Sequence, residues 1–431
     1  MLKECQRRSV HLVQVRVPDE EARKQTLEGH IVKALRLGDV KKSLRLLISA
    51  PLADKGPETV AALRKLHPGG PDPEPVASSP GPRWSSDVVG PALCSFGPGS
   101  AAGLFGYSPF HLQQCYAAQS WSFTRALLSA VNQLSDGRAP AFLRPFLAGG
   151  VAIALRKGES GVRPLCCGDP LRRLVSKCFC MGAREEISGY FKGRNFGVGC
   201  PGGVEVVAHS LRDTLRKYSS SDLALLKIDF SNAFNRVDRQ VFMRATAQHF
   251  PGLANWTNWC YSQKSVLLYD HSELIESSCG AQQGDPLGPF YFCLALAPLV
   301  EEIQALRPQY QKWYMDDGGI VASVPVLLKV WQLLKEKGPS FGLHLNPAKC
   351  EWSWLSASTV SDCPPELKRE QVALVPTDQV CILGVPLGSA SFAASFVQER
   401  LFKRVKPAME RLQELNDSQS ALFLLRVLTE S

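Results

Sequence analysis

No stretch of this 431-residue chain is apolar for long enough to cross a bilayer; the strongest run, Phe290 to Val300, is short and interrupted by Pro298. The N-terminus carries Lys3, Arg7 and Arg8 but lacks the apolar segment and small-residue cleavage site of a signal peptide. A membrane role is therefore not expected, and an intracellular location, nuclear or cytoplasmic, is. Cysteine is plentiful at fourteen residues but lacks the paired CxxC spacing of a zinc site; the closest groupings are Cys166-Cys167 and Cys178-x-Cys180. Without an export signal, free thiols in a reducing compartment are the expected state. No internal repeat is visible. With 45% hydrophobic and 21% charged residues the chain is not compositionally disordered.

What is present is a chain long enough for two or three structural units with unevenly placed charge. The net charge is +9. Between Arg156 and Lys217 there are twelve basic residues against six acidic, and residues 1–70 hold fourteen against eight. A polyanionic partner would meet basic surface in the first half of the chain. Apolar spacing predicts helices within residues 20–67, marked by Ile31, Ala34 and Leu35, then Leu44, Leu46 and Leu47, then Val60, Leu63 and Leu66. Residues 68–108 are rich in Pro, Gly and Ser and read as a linker or wrapping loop. Beyond them the pattern predicts a helix around Leu112–Leu134, a basic strand-turn-strand around Leu155–Leu165 and a helix from Gly203 to Lys217. Short apolar strands alternate with helices over 223–385, an α+β pattern. In the tail, Phe396, Leu401, Val405, Met409 and Leu412 share one helical face.

Carboxylates recur at the ends of these strands. In Ala224-Leu-Leu-Lys-Ile-Asp229, Leu226 and Ile228 point to one face of a strand, Lys227 and Asp229 to the other, and Asp229 stands where the strand breaks. Alone, such an Asp is a turn or cap residue. Tyr314-Met315-Asp316-Asp317 is followed by Gly318-Gly319-Ile320-Val321, a strand, Asp-Asp-Gly-Gly turn, strand pattern. Two adjacent carboxylates at a hairpin tip repel each other unless a hard cation sits between them. With Asp229 opposite, the set has what two-metal phosphoryl transfer requires. Between the two lies Gly280-Ala-Gln-Gln283-Gly284-Asp285-Pro286-Leu287-Gly288-Pro289, where Gly284 and Gly288 permit close backbone approach and Pro286 suits a helix start.

Taken in order, Asp229-Phe-Ser-Asn-Ala-Phe234, Gln283-Gly-Asp-Pro-Leu-Gly-Pro289 and Tyr314-Met-Asp-Asp317 resemble motifs A, B and C of reverse transcriptases. Phe341-Gly-Leu-His-Leu-Asn-Pro-Ala-Lys349 resembles motif D, and Ile382-Leu-Gly-Val-Pro386 the hairpin after it. Lys157-Gly-Glu-Ser-Gly-Val-Arg163-Pro164 and Gly197-Val-Gly-Cys-Pro-Gly-Gly resemble fingers landmarks. The resemblance spans about residues 95–390 and is nearest to non-LTR retrotransposon and group II intron enzymes. It implies an RNA-directed DNA polymerase acting on an RNA template, a DNA primer and dNTPs, with two Mg²⁺ ions, Mn²⁺ being the other candidate; no protein partner is implied. By position, Asp229, Asp316 and Asp317, with the Phe230 carbonyl, would be the metal set. Phe234 would be the steric gate against ribose, Gln283 and Gly284 would adjoin the nucleotide, Lys157 and Arg163 would hold the triphosphate, and Lys349 would face the pyrophosphate.

The implied fold is a right-hand α+β polymerase whose palm is an antiparallel sheet packed on helices. Its parts would be an N-terminal helical region (1–67), the linker or wrapping loop (68–108), fingers (109–222), palm (223–375) and a partial thumb (376–431). Some positions depart from the pattern: Asn235 where relatives have Asp, Asn195 where Gln is frequent, Gly288 for Ser, and Gly103-Leu-Phe-Gly106 without its Asp. With no endonuclease or zinc knuckle discernible, a truncated reading frame is expected. Besides the polymerase, two other readings are an RNA-directed RNA polymerase, disfavoured by Phe234, and a non-catalytic nucleic-acid-binding relic.

Overall fold

Leu225, Leu226 and Ile228 are all buried, because the strand they occupy is covered on both faces. Leu226 and Ile228 enter one core and Leu225 another. The computed structural model describes residues 20–430 except 37, 49–51, 98, 159–160 and 357–361. Lys3, Arg7 and Arg8, and Glu159 and Ser160 of the basic hairpin, lie outside the described residues.

Chain contacts define two units, Leu52–Phe392 and a second built from both ends of the sequence, Met1–Pro51 with Ala393–Ser431. In the larger unit, β1 (Gly150–Lys157) and β2 (Gly161–Gly168) form the expected basic hairpin. They are followed by β3 (Leu223–Ile228), β4 (Ser265–Tyr269), β5 (Glu273–Ser277), β6 (Tyr310–Tyr314), β7 (Asp317–Ser323), β8 (Glu351–Trp354) and β9 (Ala373–Leu374). One sheet has the order β2-β1-β4-β5, with β1 and β4 parallel. The other has the order β6-β7-β3-β8-β9, antiparallel except at its β8–β9 edge. A short hairpin, β10 (Cys381–Ile382) with β11 (Val385–Pro386), follows.

The five-stranded sheet separates two cores. On one face Leu225, Tyr310 and Val321 pack with Val207, Leu211 and Leu215 of the helix Gly203–Lys217. On the other lies the helix Gly288–Ala305, buried on nearly every side, with Pro289 in its first turn and Pro298 inside it. That all-round burial explains why the chain's most apolar run belongs to a core helix. The expected start at Pro286 falls two residues early.

The wrapping stretch runs along the helices Arg239–His249 and Pro251–Tyr261. The Lys264 N–H donates to Asp72, the Val76 N–H to Asn258 Oδ1, and Asn255 Nδ2 to the Ser79 carbonyl. Within it the chain also forms the helix Ser86–Cys94, with Val89 and Leu93 fully buried and Trp84 edge-on to Phe179 at 5.0 Å. Buried apolar contacts thus override a Pro- and Gly-rich local sequence. The helix expected around Leu112–Leu134 is two, Pro109–Ala117 and Trp121–Ser135.

In the smaller unit the helices Glu20–Arg36, Val40–Ile48, Ala390–Gln413 and Ser418–Glu430 bury Ile31, Leu47, Ala408, Leu412 and Leu424 in one cluster. The tail is helical as its spacing predicts. However, Leu401 is 56% exposed; of the expected face Leu412 is buried and Met409 packs half-buried, joined by Ala408. The third N-terminal helix, Pro57–Leu66, belongs to the larger unit, where Leu63 packs against β1, β4 and β5.

Candidate active site

The β6–β7 hairpin turns on Met315 and Asp316, with Tyr314 paired to Asp317. The turn therefore sits two residues before the expected Asp-Asp-Gly-Gly. The left-handed φ of +52° falls on Met315, not on a glycine. Gly318 lies within β7, and a Cβ there would stand 2.5 Å from the buried Trp313 ring. That glycine serves ring packing beneath the turn, not the turn itself. The turn is clamped from outside: Asn195, 3% exposed, accepts from the Met315 N–H at 2.9 Å and donates to the Met315 carbonyl at 3.1 Å. The Phe196 N–H donates to the Trp313 carbonyl at 2.8 Å beside it.

The β3–β7 register pairs Ile228 with Gly318, so continuing it by one residue sets Asp229 opposite Asp317. Asp229 is braced from the loop before β8. Asn346 Nδ2 donates to its carboxylate at 3.0 Å, the Asn346 N–H to its carbonyl at 2.9 Å, and its own N–H donates to Cys350 Sγ at 3.4 Å. Phe230, next in sequence, turns its side chain inward, stacked on Trp313 at 6.2 Å. Its main chain forms an isolated antiparallel bridge with Leu345.

Charge accumulates at this strand end. Burial raises the pKa of Asp316, Asp229 adds to the rise, and Lys157 and Lys349 oppose it. Asp317, whose side chain still reaches water, is pushed up to about 6 by its protein surroundings and by Asp316 and Asp229. The pKa of Lys157 is lowered by desolvation and by Lys349 and Arg163, with Asp229 and Asp316 working the other way. Lys157 of β1 and Lys349 of the turn Pro347–Lys349 both act on Asp316, and Arg163 of β2 neighbours Lys157. Among the described residues, no group of three or more His, Cys, Asp or Glu side chains stands in metal-holding geometry.

Phe234 is half-buried and stacked on Phe292, 4.7 Å between ring centroids. Gln283 is half-buried in its loop, where its carbonyl accepts from the Cys166 N–H of β2 at 2.8 Å. Gly284 has φ +116° and lies so close to the Cys166 carbonyl that no Cβ would fit. This loop is fixed by two buried guanidiniums. Arg172 bonds Asp285 at 2.9 Å, Gln282 and the Ala148 carbonyl, and Asp285 also accepts from the Tyr261 hydroxyl at 2.8 Å. Burial lowers the Arg172 pKa, but Asp285 together with Tyr261, Cys260 and Cys166 outweighs it and the net shift is upward. Arg239 has neutral partners, the Gly280 and Cys279 carbonyls and Ser277 Oγ at 3.0–3.1 Å and the Gln263 carbonyl at 3.5 Å, and burial lowers its pKa to about 10.

The sequence reading did not single out Asn346, Cys350, Arg172, Asp285 or Arg239 as site-building residues, and registered Asn195 only as a departure. Asn346 and Asp285 at least lie inside recognised motifs. A buried arginine looks in sequence like any surface arginine.

Two carboxylate-bearing strand ends thus lie beside Lys157 and Lys349 and near a loop held by buried arginines. The family model described as Reverse transcriptase (RNA-dependent DNA polymerase) matches residues 156–387, over half of the chain. The chain belongs to the reverse transcriptase family. It is 24% identical over 278 residues to the Retrotransposable element SLACS 132 kDa protein of Trypanosoma brucei gambiense, a match covering 61% of this chain but 22% of that protein. Two solved structures also align. One is apo telomerase of Candida tropicalis truncated from its C-terminal domain (TM-score 0.38, 15% identity, 55% of this chain and 56% of that one). The other is Candida albicans telomerase with a fragment of telomeric RNA (TM-score 0.41, 13% identity, 67% and 54%). No helix among the described residues is long and apolar enough to cross a membrane.

Proposed function

We propose that this chain is an RNA-directed DNA polymerase of a retrotransposon-derived protein, joining dNTPs to a primer 3′-hydroxyl on an RNA template. The observation that carries the reading is the β3–β7 register, which sets Asp229 opposite Asp317 beside the Met315–Asp316 turn, with Lys157 and Lys349 acting on Asp316. Adjacent carboxylates whose proton affinity is raised by burial and, less, by one another fit a divalent cation of the magnesium type. Asp229 and Asp316 would hold it, with Asp317 and the Phe230 carbonyl in support. Of two such ions, one would lower the pKa of the attacking hydroxyl and the other would neutralise charge on the leaving pyrophosphate.

The chain's own residues do the positioning. Lys157 and Arg163 bind the triphosphate as the β1–β2 hairpin presents it, and Lys349 stands ready to protonate the pyrophosphate. Phe234, fixed by its stack on Phe292, leaves no room beneath the sugar for a 2′-hydroxyl. Gln283 and Gly284 face the nucleotide from a loop that Arg172 and Arg239 hold rigid. In domain terms, residues 109–222 act as fingers, 223–375 as palm and 376–431 as a partial thumb, with 1–67 an N-terminal helical region and 68–108 a strap.

Primer extension on an RNA template with Mg²⁺ tests the reading. The wild type is expected to incorporate dNTPs and Asp316→Ala is not. A well-folded wild type that incorporates nothing would point instead to a nucleic-acid-binding relic.

A further inference from the structure

The turn that carries Asp316 is built against its own backbone preference. A side chain with a Cβ is sterically disfavoured at left-handed φ, and such residues persist only where the surroundings over-determine them. At Met315 the surroundings are specific. Both main-chain polar groups of this residue, and no side-chain atom, are bonded by the one buried amide of Asn195. The same amide oxygen accepts from the Gly197 N–H at 2.9 Å, so it is fixed in turn by its own loop. Gly197 presses on the turn from the same side; a Cβ there would fall 2.6 Å from Met315 Cγ and 2.8 Å from its nitrogen. The Phe196 N–H bond to the Trp313 carbonyl completes the seam two residues earlier on the hairpin.

We infer that Asn195 is a positioning residue for nucleotidyl transfer. Its amide holds Met315 in the left-handed conformation and thereby aims Asp316, the next residue, at Asp229. The loop between the helices Arg184–Phe191 and Gly203–Lys217 thus sets the catalytic turn without touching substrate. An asparagine is suited because one planar amide donates to the carbonyl and accepts from the N–H of the same residue. This inference rests on the polymerase reading of the hairpin.

The test is a double-mutant cycle of Asn195→Ala with Met315→Gly, since glycine adopts the left-handed conformation without a clamp. In the wild-type background, Asn195→Ala should lower kcat for dNTP incorporation about a hundredfold. Its affinity for an RNA–DNA template–primer, read by fluorescence anisotropy without metal, should not change. In the Met315→Gly background the same substitution should cost under about tenfold. Equal losses in both backgrounds, or template–primer affinity weakening in step with kcat, would overturn the inference.

Thermal melting of the same four proteins needs no activity. A larger Tm loss for Asn195→Ala in the Met315 background supports the clamp even if the wild type fails to extend primers, and equal Tm losses reject it while leaving the polymerase reading untouched. Should Asn195→Ala fail to fold, Gly197→Ala, which keeps the amide but drives a Cβ into the turn, is expected to lower kcat with template–primer affinity unchanged. Full kcat in that variant would equally overturn the assignment.

Discussion

Two neighbouring regions of the larger unit treat charge in opposite ways. At the end of the five-stranded sheet Asp316 and Asp317 sit beside Asp229, and their pKa values are raised. In the loop Gly280–Leu287, Asp285 is fully buried yet pairs with Arg172, the Tyr261 hydroxyl and the Leu287 N–H. Arg239, at the other end of that loop, has carbonyls where Arg172 has a carboxylate, and both guanidiniums lie 5.3 Å from the Tyr261 ring. At the first, burial and neighbouring carboxylates raise the proton affinity against the pull of Lys157 and Lys349; at the second, the buried carboxylate is matched inside the protein and holds shape. Removing a carboxylate from the first region should therefore cost activity, and from the second, stability.

The largest effect is expected for Asp316→Ala. Primer extension should fall roughly a thousandfold or more, while Tm stays level or rises because a half-buried carboxylate beside Asp229 has gone. A fall in Tm matching the activity loss would erase the contrast between the regions. Asp285→Ala should show the reverse, losing about 3–5 kcal/mol in urea unfolding because the buried Arg172 is left without its counter-charge. A variant of near wild-type stability would mean that Gln282 and the Ala148 carbonyl suffice for Arg172.

Asn346→Ala sharpens the first region. Without its brace on Asp229, kcat should drop about tenfold to a hundredfold with little change in Tm. Phe234→Ala should relax discrimination between dNTPs and rNTPs by about tenfold, read from competing single-nucleotide incorporation. Unchanged sugar selection would leave Phe234 a core ring packed on Phe292.

The smallest effect concerns pH. The folded pKa of Asp317, about 6, exceeds its ordinary 3.8, so between these values the folded protein holds more proton than the unfolded chain. The stability this group contributes is present below 3.8 and lost as pH rises through about 6. Without metal, the Tm of wild type relative to Asp317→Asn should decline modestly across that window. Mg²⁺ should restore it above about pH 6, where the carboxylate is free to bind. A difference that is flat with pH would remove Asp317 from the charge cluster.

Much of the site was legible because its motifs are local. Asp229 ends a strand whose alternation is visible, and Asp316-Asp317 follows an aromatic run that has to be a strand. Gln283-Gly284 announces a tight loop. The turn itself was misplaced, since Gly318-Gly319 looks like turn chemistry and a left-handed methionine has no sequence signature; only the Trp313 ring against Gly318 and the Asn195 clamp explain it. In the stretch 68–108 composition foretold a wrapping segment but not its helix, because the burial of Val89 and Leu93 is a long-range fact.

The sequence by itself determined the family and the α+β order of elements, and it set carboxylates at the strand ends, because each depends on motifs of residues within a few positions of one another. Tertiary structure alone decided which side chains brace those carboxylates, which arginines are buried, and that both ends of the chain supply one helical unit. Those outcomes depend on close packing and on the pairing of buried polar groups between segments far apart in sequence, and no local pattern encodes them.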